Sequence, residues 1–273
     1  MSVRAERLVI YVILVMFCVA VLLPFVSILT VALQAPGSTV TGLALPDELH
    51  FDNFRRAWTV GGFGSLMASS AIVAVVVVPT ATALSILAGY AFGTMRFRGS
   101  TGLFYLLLIG LVMPFEATVV PLYYDLRALH LTDTYWALIL PQIGLSVAFG
   151  TFWMRAFFLS SPKSLLEAAQ LDGASTWTAL WRILLPTARP AVTTLATLFF
   201  LWSWNEFLLA LVLIQDPDRR TAPAGLGLFV GERTVDVAGL SAGALIITLP
   251  VIVVYLFLQR GFIRGMLEGS VKG

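Results

Sequence analysis

Six stretches of this chain run for 20 residues or more with at most one charged residue each: 8–33, 66–93, 103–124, 135–159, 191–214 and 240–259. A bilayer's hydrocarbon core is crossed by about 20 apolar residues in a helix. Lipid offers no hydrogen-bond partners, so only helices and closed barrels can span it. Barrel strands alternate apolar and polar residues over ~10 positions, and these stretches do not. The reading is an all-α integral membrane protein with six transmembrane helices. Composition agrees: 59% of residues are hydrophobic, 12% are charged and the mean hydropathy is +0.91, against about 25% charged in a soluble domain. That excludes a water-soluble enzyme and a disordered chain. The first stretch follows Arg4 and Arg7 but is too long for a signal-peptide core and lacks an A-x-A site, so it reads as the first membrane helix. No loop is large enough to form a separate domain and no internal repeat is visible, so residues 1–273 read as one transmembrane domain.

Charge orients the bundle. With the N-terminus inside, the inner segments hold Arg4, Arg7, Arg96, Arg98, Arg155, Lys163, Arg182, Arg189, Arg260, Arg264 and Lys272. The outer ones hold Arg55, Arg56, Arg127, Arg219, Arg220 and Arg233. The excess of basic residues places both termini in the cytoplasm. A net charge of +2 gives no reason to expect a nucleic-acid partner. The lone Cys18 excludes an intrachain disulfide, and neither His50 nor His130 sits in a metal-ligating cluster. No catalytic or metal-binding residue is expected.

Two acids fall within spans, Glu116 in the third and Glu206 in the fifth. Charges at membrane depth are costly and usually face a cavity or a partner. By helix rise Glu116 lies about 20 Å from the inner end of its span. Asn205 and Glu206, flanked by Trp202 and Trp204, offer amide, carboxylate and aromatic groups of the kinds that suit a sugar. Glu116, Trp202, Asn205 and Glu206 are therefore the candidate substrate-pathway residues; the alternative for both acids is a structural pin. Tyr123, Tyr124, Tyr135 and Trp136 flank an outer loop and read as a headgroup belt. Pro24, Pro79, Pro114, Pro121 and Pro141 lie inside or at the ends of spans, where neighbouring helices can compensate them. The small residues of the second span, Gly89 among them, permit close packing.

The inner loop 160–190 reads as a helix–turn–helix. Ser160 and Ser161 stand as N-caps before Pro162. Glu167 lies early in the helix, where the backbone dipole favours an acid. Gly173 is placed as the stop, and a second helix starts near Ser175 or Thr176 and ends at Pro186. The pair is either an amphipathic element on the membrane surface or a docking element for a cytoplasmic partner. The small residues Ala168, Ala169, Gly173 and Ala174 would let a groove approach the backbone.

Glu167-Ala168-Ala169-Gln170-Leu171-Asp172-Gly173-Ala174, followed by Ile183-Leu184-Leu185-Pro186, resembles the EAA motif of permease subunits in binding-protein-dependent ABC importers. Asp133-Thr134-Tyr135-Trp136-Ala137-Leu138-Ile139-Leu140-Pro141 resembles the maltose-type sugar permeases. So do Trp204-Asn205-Glu206-Phe207 and the tail from Gln259 to Val271-Lys272-Gly273, which resembles the shorter permease of the pair. The resemblance implies that Glu167, Ala168, Ala169, Leu171, Asp172, Gly173 and Ala174 couple the chain to an ATPase. It implies as partners a second homologous permease, two ATPase subunits, an extracytoplasmic solute-binding protein and membrane lipid. ATP and Mg would bind the ATPase subunits, and no cofactor would bind this chain. The sequence holds no GxxxxGK[ST] phosphate loop. The expected role is the permease of a sugar importer in the bacterial inner membrane. The alternatives are the same importer type for a glycerophosphodiester or other non-sugar solute and, more distantly, a stand-alone secondary carrier. A carrier would show an inverted repeat and broken helices. A membrane-embedded enzyme would need His, Asp or Ser clustered at one depth.

Overall fold

The computed structural model describes residues 3–231 and 235–270. Arg233 of the charge argument and Val271, Lys272 and Gly273 of the tail lie outside them. The elements are helical: α1 Val3–Ala32, α2 Asp52–Thr59, α3 Phe63–Thr94, α4 Ser100–Val112, α5 Phe115–Ala128, α6 Tyr135–Ser160 and α7 Lys163–Leu171. There follow α8 Thr176–Thr178, a π-helical turn Ala179–Leu184, α9 Leu185–Thr187, α10 Arg189–Trp204, α11 Leu208–Leu213, α12 Ala222–Gly225 and α13 Val237–Ser270. Among the described residues, four helices are long and apolar enough to cross a membrane, and the count reaches six if each of two bent pairs is one span.

The chain divides into two compact units. One comprises residues 3–65, 225–231 and 235–249. Its α1 is apolar all round, with large side chains exposed from Leu8 to Leu29, as lipid contact requires. Asn53 ties off the end of this helix. It is fully buried, and its amide donates to the carbonyls of Ala32 at 3.0 Å and Gln34 at 2.7 Å, which a helix C-terminus leaves unpaired. Arg56 pairs with Asp236, whose other oxygen accepts the amide of Gly239 at 3.0 Å at the start of α13.

The second unit comprises residues 66–224 and 250–270. Two clusters of buried side chains hold it, and α3 and α6 supply residues to both. Val73 and Val77 join Ala137, Leu138 and Ile139 with Leu209, Leu213 and Ile214. Further along both helices, Ile86 and Tyr90 join Met154 and Phe158 with Leu180, Leu184, Leu195 and Phe199. The two helices therefore run side by side in the same direction. Gly89 makes the approach possible, since a Cβ there would stand 2.9 Å from the amide nitrogen of Arg155. Gly150 does the same against Ser85 and Phe199.

Two predicted straight spans are broken. The third bends by 100° between α4 and α5. Met113 is extended, with φ −66° and ψ 130°, because the proline ring of Pro114 disfavours helical backbone in the residue before it. The rise arithmetic for Glu116 assumed one continuous helix and fails at this bend; Glu116 lies in the first turn of α5. The fifth span stops at Trp204 and resumes at Leu208. α10 alone, 16 residues, is about 24 Å long and too short for a ~30 Å hydrocarbon core. Pro24, Pro79, Pro121 and Pro141 stay inside continuous helices.

Candidate functional site

The 160–190 loop departs from its expected start. Ser160 still belongs to α6, Ser161 follows it, and Pro162 occupies the N-cap position of α7 with no side-chain cap. The Ser160 and Ser161 hydroxyls turn back instead and donate to the carbonyl of Phe157 at 2.9 and 3.1 Å. The far end of α7 is as expected. Gly173 has φ +74°, its amide donates to Gln170 at 3.0 Å, and the Ala174 amide donates to Ala169 at 2.9 Å. This double closure is a Schellman motif, whose left-handed residue is usually glycine. Ser175 then caps the next helix, its Oγ accepting from the Thr178 amide at 3.2 Å. That helix does not end at Pro186. The π-helical turn precedes it and the chain stays helical to Thr187, before an 80° bend into α10. A π turn leaves a gap in the usual bonding ladder, which suits a residue that has no N–H to give.

Two helix faces result. Ala169 is buried, Leu166 packs against the Leu180–Leu184 cluster, and the Tyr90 hydroxyl donates to the Thr176 carbonyl at 3.2 Å. Glu167, Ala168, Leu171, Asp172 and Gly173 are exposed and Ala174 half-buried. Leu171 is 90% exposed and a Cβ on Gly173 would meet open space. Trp177 and Trp181, in edge contact at 5.4 Å between centroids, are exposed as well. The loop thus stands on a rigid base and offers a leucine, two acids and bare backbone outward.

The second candidate region is the break in the fifth span. Asn205 is exposed, and its side-chain amide donates to the Leu201 carbonyl at 2.8 Å, where the backbone amide of Asn205 also bonds. Glu206 caps the resumed helix, its two oxygens accepting from the amides of Leu209 at 2.6 Å and Ala210 at 3.2 Å. The pinning role left open for this acid is therefore present. Glu206 and Trp202 also line a pocket of about 200 Å³ with Phe115, Gln142, Leu145, Ser146, Ser203 and Leu209. Glu116 is exposed and Asn205 is not among the pocket's lining residues. Gln142 and Ser203, 6% and 3% exposed, did not stand out in the sequence. The available signal was that both are polar residues inside apolar spans. Of the supposed headgroup belt, Tyr124 and Trp136 are exposed, whereas Tyr123 and Tyr135 pack on the buried core and the Tyr135 hydroxyl lies 3.0 Å from Ser69 Oγ. Asp133 holds the far end of this region. Its Oδ1 accepts from the amides of Gln215 at 3.0 Å and Asp216 at 2.9 Å, and its carbonyl accepts from Arg219 at 2.8 Å.

Long apolar helices, a span interrupted at Asn205–Phe207 and a capped turn projecting from one loop are features of a multi-pass membrane protein. The chain belongs to the family of binding-protein-dependent transport system inner membrane components, which it matches over residues 81–268. It is 37% identical over 230 residues to a probable ABC transporter permease protein, YurM, of Bacillus subtilis, covering 84% of this chain and 76% of that one. It is 33% identical to the trehalose transport system permease protein SugB of Mycobacterium tuberculosis, covering 92% and 93%. Among solved structures it resembles a chain of a bacterial ABC transporter involved in the import of the acidic polysaccharide alginate. There the TM-score is 0.76 at 25% identity, covering 95% and 97%. The protein is thus a multi-pass permease of the inner membrane. Broken helices, expected of a stand-alone carrier, occur here too, so they do not separate the two classes; family membership does.

Proposed function

We propose that this chain, as a single permease domain, forms half of the translocation pathway of an ATP-driven carbohydrate importer. A second, homologous permease supplies the other half. Of two ATPase subunits, which bind ATP and Mg, one docks on residues 167–174 and the other on the matching loop of the second permease, and an extracytoplasmic binding protein delivers the solute. Both termini lie in the cytoplasm. The observation that carries this reading is the turn 167–174. Its buried Ala169 and Schellman closure fix it to the bundle, while Leu171 at 90% exposure needs a partner to leave water. Two similarities support a carbohydrate as the solute: the trehalose permease and the alginate importer.

The test is reconstitution. The purified chain alone is expected neither to hydrolyse ATP nor to move solute. Vesicles with the second permease, the ATPases and the binding protein are expected to take up a labelled di- or oligosaccharide on addition of ATP. ATP hydrolysis by the chain alone would overturn the reading.

A further inference from the structure

The buried amide of Gln142 has no hydrogen-bond partner at either its nitrogen or its oxygen, and the buried Ser203 hydroxyl has none either. Leaving such groups unpaired is costly, so native interiors seldom keep them without a use. Both line the pocket at the break of the fifth span, together with Ser146 and Glu206. Gln142 and Ser146 are four residues apart on α6 and so share one helix face. Gln142 lies seven residues into α6, about 10 Å along it from Tyr135.

We infer that this pocket is a hydroxyl-recognising subsite for the carbohydrate in transit, with Gln142 and Ser203 as its hydrogen-bonding groups. The inference rests on the carbohydrate reading above and names where this chain would touch the solute. The chemistry matches. An amide offers two donors and an acceptor, and a hydroxyl offers a donor and two acceptor positions. Together they satisfy groups that themselves both give and take hydrogen bonds, as sugar hydroxyls do. Phe115 and the 46%-exposed Trp202 supply apolar walls for the C–H face of a ring. Glu206 contributes less, because both its oxygens already accept backbone amides. About 200 Å³ is far above the ~10–15 Å³ that one water needs.

The test uses the full complex in vesicles with its binding protein, and labelled trehalose and maltose as probes. Gln142→Leu keeps the volume and removes an unpaired amide, so the complex should assemble with the second permease and melt no lower than wild type. Uptake of the sugar that wild type carries should fall about tenfold, the loss of roughly one good hydrogen bond. Ser203→Ala should lower it less. Normal uptake by Gln142→Leu while wild type carries sugar would overturn the subsite and leave the importer reading intact; it would mean that water alone fills the pocket. Loss of the second permease from the purified Gln142→Leu complex would also overturn it, assigning the pocket to the contact between permeases. Uptake of neither sugar by wild type would overturn the carbohydrate reading itself, and the subsite with it.

Discussion

Gly173 has φ +74°, and nothing stands within 4 Å of where its Cβ would be. A side chain there clashes with nothing in this chain, and the cost of left-handed backbone is only about 1–2 kcal/mol. Gly173→Val should therefore insert and pair with the second permease normally. If the turn docks an ATPase, transport should fall sharply, with the ATPases either lost or hydrolysing ATP without moving solute. Transport and hydrolysis measured side by side in vesicles decide this, and normal values for both would remove the coupling role. Glu206 differs, because its carboxylate satisfies two amides. Glu206→Ala orphans both and should lower thermal stability by about 1–3 kcal/mol. Glu206→Gln keeps an acceptor and should lose less. Equal melting of the two variants and wild type would show that the cap contributes nothing. Glu167, Asp172 and Gly173 were legible as loop residues because charges and glycine have few uses in an apolar chain. Gln142 and Ser203 were not, since burial and the lack of a partner are properties of packing and not of residue type.

At the scale of elements, α3 and α6 meet where Gly89 and Gly150 remove side chains from the contact. Gly150→Leu would drive a side chain into Ser85 and Phe199, and overpacking of this kind costs about 1–3 kcal/mol or more. The expected result is little folded protein in detergent by size-exclusion chromatography. Gly102→Leu, at a position where a Cβ would meet open space, is the control that should behave as wild type. The two helix breaks have different origins. Pro114 imposes the first locally, and a proline in a span is visible in sequence. The second, at Asn205–Phe207, depends on Glu206 folding back onto Leu209 and Ala210. Hydropathy reads straight across it, because a three-residue interruption hardly alters the mean over twenty.

For the whole molecule, the excess of basic residues in the inner segments sets the expected topology. Reporter fusions after Gly62 and after Asp218 should report outside, and a fusion after Lys163 inside. Inverted reports would refute the orientation and with it the placement of residues 167–174 on the ATPase side. Specific bonds hold the long segments 34–65 and 215–239: the Asn53 amide donates to the Ala32 and Gln34 carbonyls in the first, and Asp133 accepts from the Gln215 and Asp216 amides at the start of the second.

Long apolar runs determined by sequence alone that this chain lives in a bilayer as helices, because lipid leaves the backbone no other way to pair its polar groups. The Ala-Gly pattern of residues 168–174 determined the capped turn in the same way, since a Schellman closure involves only neighbours in the chain. Tertiary structure decided the rest. Which polar residues within the spans stay paired and which face a pocket depend on contacts between α5, α6, α10 and α11. Those contacts join residues far apart in sequence, and no local pattern records them.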